Sequence, residues 1–409
     1  MVRYVSDSDT IRRQNRALVL AALRRHGPIA RTQLAGVTGL SHASITAITQ
    51  DMLAQGVLLD LPEPRGEEKA RGRPAVRIGL NRGIATVCLV EVDVTRARLS
   101  LVDYGGILVD RIEFALTPNQ FKASDPVDFL AAAIGRLKER NPAETSRLRR
   151  IAVSVQGILD RGGLRLAWSP VPGLAGRDIA EKLALQFVVP ATLIKRGRLL
   201  AEGTRRLDPE LSEASVATVF VGSTVAMGLS APGRIPGRGD LGATEFGHMN
   251  HMPNGALCRC GMRGCIEAYA ADYGILRTAF SVPETTLPAP AIPPSEFEHL
   301  IARAMAGDRN AAHAFNVAGR ALGYGLARLL ALFEPSHIVI VGPGARAFGL
   351  MKAEIDAALA GSLVGKVNGL PQVRTLRDES EPIFQGLAAE TLAQIDELDF
   401  APLPAVQPP

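Results

Sequence analysis

The chain has 409 residues, 47% apolar and 21% charged, an ordinary globular balance that is too long for one core and points to two or three domains. No apolar run reaches the roughly 18–20 residues of a bilayer span and the first eight residues are polar, which argues against a membrane helix or a secretory leader and favours a cytoplasmic protein. The net charge of +5 belongs to residues 1–80, where twelve Lys/Arg face seven Asp/Glu, so the front of the chain is where a polyanion would bind.

Residues 10–25 carry apolar side chains at helical spacing (Ile11, Leu18, Leu20, Ala22, Leu23), ended by Gly27-Pro28. A short helix over 31–37 follows, Gly39 makes a turn, and Ser41 is placed to cap a third helix reaching about residue 55. Ile45, Ile48, Met52 and Leu53 give that helix an inward face. Its outward N-terminal face is small and polar: His42, Ala43, Ser44, Thr46 and Ala47. This is helix-turn-helix grammar, in which the second helix of the motif enters the DNA major groove by its N-terminal end. Strands over 57–61 and 76–80, joined by a loop holding Lys69, Arg71 and Arg73, make a wing that would reach phosphates or the minor groove. Residues 1–80 are thus expected to be a winged helix-turn-helix domain. Arg12, Arg13, Arg16 and Arg31 would join the wing on phosphates, with Ser41, His42, Ala43, Ser44 and Thr46 at the bases.

From residue 84 strands and helices alternate. Strands are expected over 84–92, 98–102, 150–155, 191–194, 216–221 and 337–341, and helices over 127–140, 179–185, 296–306 and 311–332. Strand pairs with crossover helices, repeated twice, describe two α/β lobes about a cleft, 84–200 and 201–395, with the last helix able to return to the first lobe. The proline-rich stretch 281–294 reads as a loop, and 396–409 as a disordered tail.

Residues 245–267 hold three of the four cysteines and two of the seven histidines. His248, Cys258, Cys260 and Cys265 offer one imidazole and three soft thiolates among glycines, the ligand set of a closed, tetrahedral, structural Zn²⁺ site. With Cys88 alone elsewhere, the cysteines do not read as a disulfide framework.

Glu245-Phe246-Gly247-His248, followed by Cys258-x-Cys260-Gly261-x-x-Gly264-Cys265-x-Glu267, resembles the signature of the ROK family of repressors, open reading frames and sugar kinases. The front of the chain, including Gly72-Arg73-Pro74 after the wing, resembles the repressor branch, and the likeness spans about residues 10–395. It implies an actin-like, hexokinase-type ATPase fold (ribonuclease H-like) in two lobes behind the winged helix. It also implies zinc on His248, Cys258, Cys260 and Cys265, and sugar hydroxyls bound by Glu245, His248 and Glu267.

The departures from the family's kinases are as informative. Their first phosphate loop has a glycine that brings backbone to the nucleotide, whereas this chain reads Asp93-Val94-Thr95-Arg96. The glycine-rich second loop becomes Gly222-Ser223-Thr224-Val225-Ala226-Met227-Gly228, with side chains where bare backbone is wanted. Counting from Pro190, the position of the kinase aspartate that takes the sugar proton falls in Lys195-Arg196-Gly197-Arg198, and a guanidinium cannot act as a base. The reading is a non-enzymatic, sugar-responsive DNA-binding regulator; the alternative is a kinase that has kept phosphoryl transfer and a DNA-binding domain. Lys195, Arg196 and Arg198 either grip an anionic sugar derivative, or are solvated or paired with Glu202 or other acids beside a pocket that takes a neutral sugar or nothing. The expected assembly is a homodimer, or a dimer of dimers, on an inverted-repeat operator, with sugar closing the cleft and moving the linker near residues 81–84.

Overall fold

Three helices and a small sheet open the chain. Helix α1 (Asp7–His26) buries Val19, Leu20 and Leu23. Ile11 and Leu18, expected to face inward, are 54% and 41% exposed, because the inward stripe runs through Arg16, Val19, Leu20 and Leu23. Helices α2 (Arg31–Thr38) and α3 (His42–Ala54) follow. Ser41 caps α3, its Oγ accepting the Ser44 N–H at 3.1 Å, and Ile45, Ile48 and Met52 join Leu34 in the core. Strands β1 (Ile29–Ala30), β2 (Leu58–Leu61) and β3 (Arg77–Leu80) pair antiparallel in the order β1-β3-β2. The computed structural model describes residues 7–62, 76–117, 121, 125–231 and 243–400. The expected wing cations Lys69, Arg71 and Arg73, the Gly72-Arg73-Pro74 element and residues 401–409 of the expected tail lie outside that set, whereas residues 396–398, also expected to be disordered, are the end of the last helix, Ser380–Leu398.

Two five-stranded sheets make up the rest. The first uses β4 (Thr86–Val92), β5 (Arg96–Asp103), β6 (Leu108–Ala115), β7 (Leu148–Val155) and, past the short hairpin β8 (Ile158–Leu159) and β9 (Leu166–Trp168), β10 (Ala191–Lys195). Its order is β10-β7-β4-β5-β6. All of β4 is buried, as a central strand covered on both faces requires. The second sheet comprises β11 (Val216–Val221), β12 (Val225–Ser230), β13 (Ala243–Thr244), β14 (His337–Val341) and β15 (Gln372–Leu376), in the order β13-β12-β11-β14-β15. In each sheet an antiparallel hairpin supplies a central strand that pairs in parallel with the next, so the lobes repeat one topology.

Helices α4 (Pro126–Arg140) and α5 (Ile179–Phe187) cover the first sheet. Between the lobes runs α6 (Arg196–Leu207), and α7 (Arg309–Leu330) packs on α8 (Phe348–Gly361) behind the second sheet. The last helix, α9 (Ser380–Leu398), returns to β4 and β7 of the first lobe and lies along α6. That contact is backbone-close: a Cβ on Gly203 would stand 1.8 Å from the Pro382 carbonyl oxygen, and one on Gly386 2.1 Å from that of Leu199. One apolar core runs from Leu20 and Ile78 through Tyr104 to Leu387 and Ile395, so the N-terminal unit shares its interior with the first lobe. The connection at 81–84 is a bonded turn rather than a loose linker: Asn81 donates to the Gly56 carbonyl at 2.9 Å, and the Ile84 N–H to the Asn81 carbonyl at 3.1 Å. No described helix is long and apolar enough to cross a membrane.

Candidate functional site

The four sulfur and imidazole donors converge. One ligand atom each from His248, Cys258, Cys260 and Cys265 lies within 4.8 Å of all the others. A single turn of 3₁₀ helix, Phe246–His248, aims the imidazole, whose Nδ1 is 3.8 Å from the Cys258 sulfur. The thiols are set by a tight loop in which the Gly261 N–H donates to the Cys258 carbonyl at 3.0 Å. Gly264 is obligatory there: its φ is +79°, and a Cβ would fall 1.7 Å from the Met252 carbonyl oxygen. Burial works against protonation of His248, but the hydrogen bonds from Cys258 and Cys260 prevail and push it up to about 10. Hydrogen bonds from Cys258, then Cys265, hold the Cys260 thiol down, while Cys258 and Cys260 push Cys265 up. Three thiols and an imidazole whose donor atoms all lie within 4.8 Å of one another are a donor set suited to a tetrahedral soft cation such as Zn²⁺. Cys88 is different: burial pushes its thiol up to about 12, as for an inert core cysteine.

The imidazole also forms one wall of the interlobe cleft, where Trp168 meets it edge-on at 5.1 Å. Lys195 and Arg196 enter from the first lobe and Glu245 and Glu267 from the second, so all the expected sugar-site residues line one cavity. That cavity is only about 50 Å³, well below the roughly 300 Å³ at which ligand pockets begin, so a sugar requires the lobes to open. Glu267 is 1% exposed. One of its oxygens accepts the Val225 N–H at 3.1 Å, and the other lies 3.4 Å from the Tyr273 hydroxyl and 3.6 Å from the Cys258 sulfur. Burial pushes its carboxyl up to about 7.

The cations of this cleft are paired. Lys195 is ion-paired with Glu245, and Arg198 with Glu390. Arg196, 4% exposed, lies 3.4 Å from both Asp93 and Glu379 and 5.4 Å above the Phe220 ring. All three cations thus have acidic partners; Glu202 itself serves Arg205 and Arg206 instead. Asp93, in the first phosphate-loop position, closes the β4–β5 turn by accepting the Thr95 N–H (2.8 Å), the Thr95 hydroxyl (2.7 Å) and the Arg96 N–H (3.0 Å). Burial opposes its charge, but Arg196 and these bonds hold its carboxyl below the usual range.

On the N-terminal unit, His42, Ala43, Thr46, Ala47 and Gln50 form an exposed stripe along α3. Gln50 was not anticipated, although its spacing of four from Thr46 puts it on the same face. Arg12 and Arg13 are half-exposed, and Arg31 is held by the Thr49 hydroxyl at 3.0 Å. Arg16 corrects the expectation of a phosphate contact. It is 3% exposed and donates to Asp51 at 2.6 Å, to Gln55 at 2.8 Å and to the Phe400 carbonyl at 2.6 Å, so its donors are used inside the protein. A further joint was invisible in the sequence. Arg24 makes two hydrogen bonds to Asp396 of α9 (2.5 and 2.8 Å), Asp396 accepts the Tyr104 hydroxyl at 2.7 Å, and the guanidinium lies 4.9 Å over the Tyr104 ring.

Known proteins place this arrangement. The chain is 22% identical over 379 residues to the xylose repressor of Bacillus subtilis (strain 168), covering 90% of this chain and 93% of the relative. It is 24% identical over 386 residues to the DNA-binding transcriptional dual regulator NagC of Escherichia coli (strain K12), covering 93% of each. A solved ROK family transcriptional regulator, described as a homolog of the E. coli MLC protein, superposes with a TM-score of 0.71 at 19% identity, covering 96% of this chain and 98% of that one. A ROK family glucokinase from Streptomyces griseus, solved with glucose and AMPPNP, superposes with a TM-score of 0.56 at 20% identity, covering 76% of this chain and 99% of that one. The two superpositions establish the two-lobed actin-like fold behind a winged helix. A model of the ROK family matches residues 88–382, and the chain belongs to the ROK family.

Proposed function

We propose that the protein is a sugar-responsive, DNA-binding transcriptional repressor of carbohydrate transport or catabolism genes, whose kinase-like lobes sense a sugar without phosphorylating it. The observation that carries this reading is Arg196. A buried guanidinium stands in the stretch where a sugar kinase needs its carboxylate base, and it neutralises Asp93 and Glu379 beside the phosphate-loop turn. The domain organisation supports it: a winged helix over 1–80, lobes over 84–200 and 201–395, and relatives matched along more than nine-tenths of the chain that are named as regulators.

In this reading His42, Ala43, Ser44, Thr46 and Gln50 meet base edges, with Ser41 at the helix start, and Arg12, Arg13 and Arg31 meet phosphates. Zinc on His248, Cys258, Cys260 and Cys265 would serve as a structural clamp. The four residues would hold the loop that turns one face of His248 and the buried Glu267 toward the cleft. Glu245, freed from Lys195 as the lobes part, joins His248 and Glu267 in binding sugar hydroxyls, while Arg196 keeps its carboxylate partners Asp93 and Glu379. The signal travels along α6, whose first turn lines the cleft, into α9 through Arg198–Glu390 and the glycine contacts, and from Asp396 into Arg24 of α1. A sugar that binds the open lobes better shifts the population away from the DNA-competent form by that difference in affinity alone.

Two measurements test the proposal. Genome-wide mapping of bound DNA should recover inverted repeats beside sugar transport and catabolic genes. A coupled ADP-release assay across hexoses and amino sugars should stay at background, and robust turnover would overturn the non-enzymatic part.

A further inference from the structure

A second cavity, bounded by described residues, is larger than the cleft. It lies between α1 and α9, with the α6 C-terminal turn and the Tyr104-Gly105-Gly106-Ile107 turn as walls, and its volume is about 650 Å³. That is within the roughly 300–1,000 Å³ of small-molecule sites, and a junction between domains is where such sites concentrate. Six arginines and three carboxylates line it, so it is net cationic. The acids are already engaged: Glu202 by Arg205 and Arg206, Asp396 by Arg24, and Glu397 by another contact. Arg13 and Arg25, by contrast, have no ion pair among the described residues, and the buried Arg205 Nε has no hydrogen-bond partner. Three large apolar side chains that are otherwise exposed turn toward the same space: Leu18 at 41%, Val37 at 51% and Ile107 at 52%. Unpaired guanidinium groups around an apolar floor select one chemistry.

We infer that this interdomain cavity is a second ligand site, distinct from the sugar cleft, for a small organic anion with an apolar body, such as a phosphate monoester. Arg13 and Arg25 engage the anion, and Leu18, Val37 and Ile107 cover the apolar part. Because the walls belong to α1 on one side and to α6 and α9 on the other, the ligand binds only while the two are docked and holds them so. Binding itself does not depend on the repressor reading; its effect on DNA does.

The test is calorimetric titration of the full chain with 2-naphthyl phosphate, with 2-naphthol and inorganic phosphate as controls. Naphthyl phosphate is expected to bind one per chain, and each control to bind at least about tenfold more weakly, since the site needs both charge and apolar contact. Ala393→Trp, which fills the cavity, and the double change Arg13→Glu/Arg25→Glu, which reverses its charge, should each weaken binding by about tenfold or more while the circular dichroism of the folded chain is kept. The two act by different means, so misfolding of one leaves the other to decide. Absence of naphthyl phosphate binding, equal binding of 2-naphthol, or unchanged affinity in the folded variants overturns the proposal. So does a crystal structure that shows the naphthyl group in the cleft. A null ADP-release or DNA-mapping result bears on the repressor reading alone.

Discussion

Arg24 and Asp396 are 372 positions apart and meet through paired hydrogen bonds with side chains 12% and 8% exposed. Removing one partner leaves the other charge buried, so Asp396→Ala should cost about 3 kcal/mol in a urea unfolding curve, and Tyr104 loses its acceptor as well. Ser41→Ala removes the cap of the recognition helix and should cost about 1 kcal/mol, read as a lower melting temperature and weaker operator binding. Asp272 gives a pH signature. Burial pushes its carboxyl up to about 6, against the Arg259 guanidinium 3.7 Å away. A carboxyl raised by folding stabilises the native state fully below the unfolded value near 3.8 and loses that contribution as pH rises through about 6. At fixed excess zinc, stability should therefore decline between about pH 4 and 6, by at most about 3 kcal/mol in all, and Asp272→Asn should flatten that decline.

Among the elements, α6 and α9 set the tolerance of the fold. Gly203→Ala or Gly386→Ala drives a methyl into a carbonyl oxygen of the facing helix and should cost about 1–3 kcal/mol. Both should also uncouple sugar from DNA binding, seen as operator affinity that no longer responds to sugar. Zinc removal by a chelator should melt the loop around Cys258–Cys265 first, lowering the melting temperature and abolishing sugar response. The regular elements were largely legible because their burial is periodic: α2, α3, β11 and β14 fall within a residue or so of their expected positions. Strand β6 was missed, since an edge strand that is largely open to solvent (Leu108, Val109 and Glu113 are exposed) carries no clear apolar alternation. The donor cluster was legible from ligand type and spacing alone. The Arg24–Asp396 joint and the Arg16 anchor were not, because ion pairs between distant segments leave no local pattern.

For the whole molecule, a two-fold dimer would set two α3 helices in successive major grooves, so operator half-sites should lie about 10 base pairs apart or at a multiple of that. Inserting five base pairs between them should abolish cooperative binding in a gel-shift titration, and ten should restore much of it. The continuous core from Leu20 to Ile395 has a practical consequence for engineering. A foreign winged helix grafted in place of residues 1–80 would bring neither Arg24 for Asp396 nor an apolar face matched to Tyr104, and would leave that acid and ring stranded at the seam. Chimaeras that retarget such a sensor to a new operator should therefore exchange only the exposed stripe of α3, keeping α1 as part of the receptor.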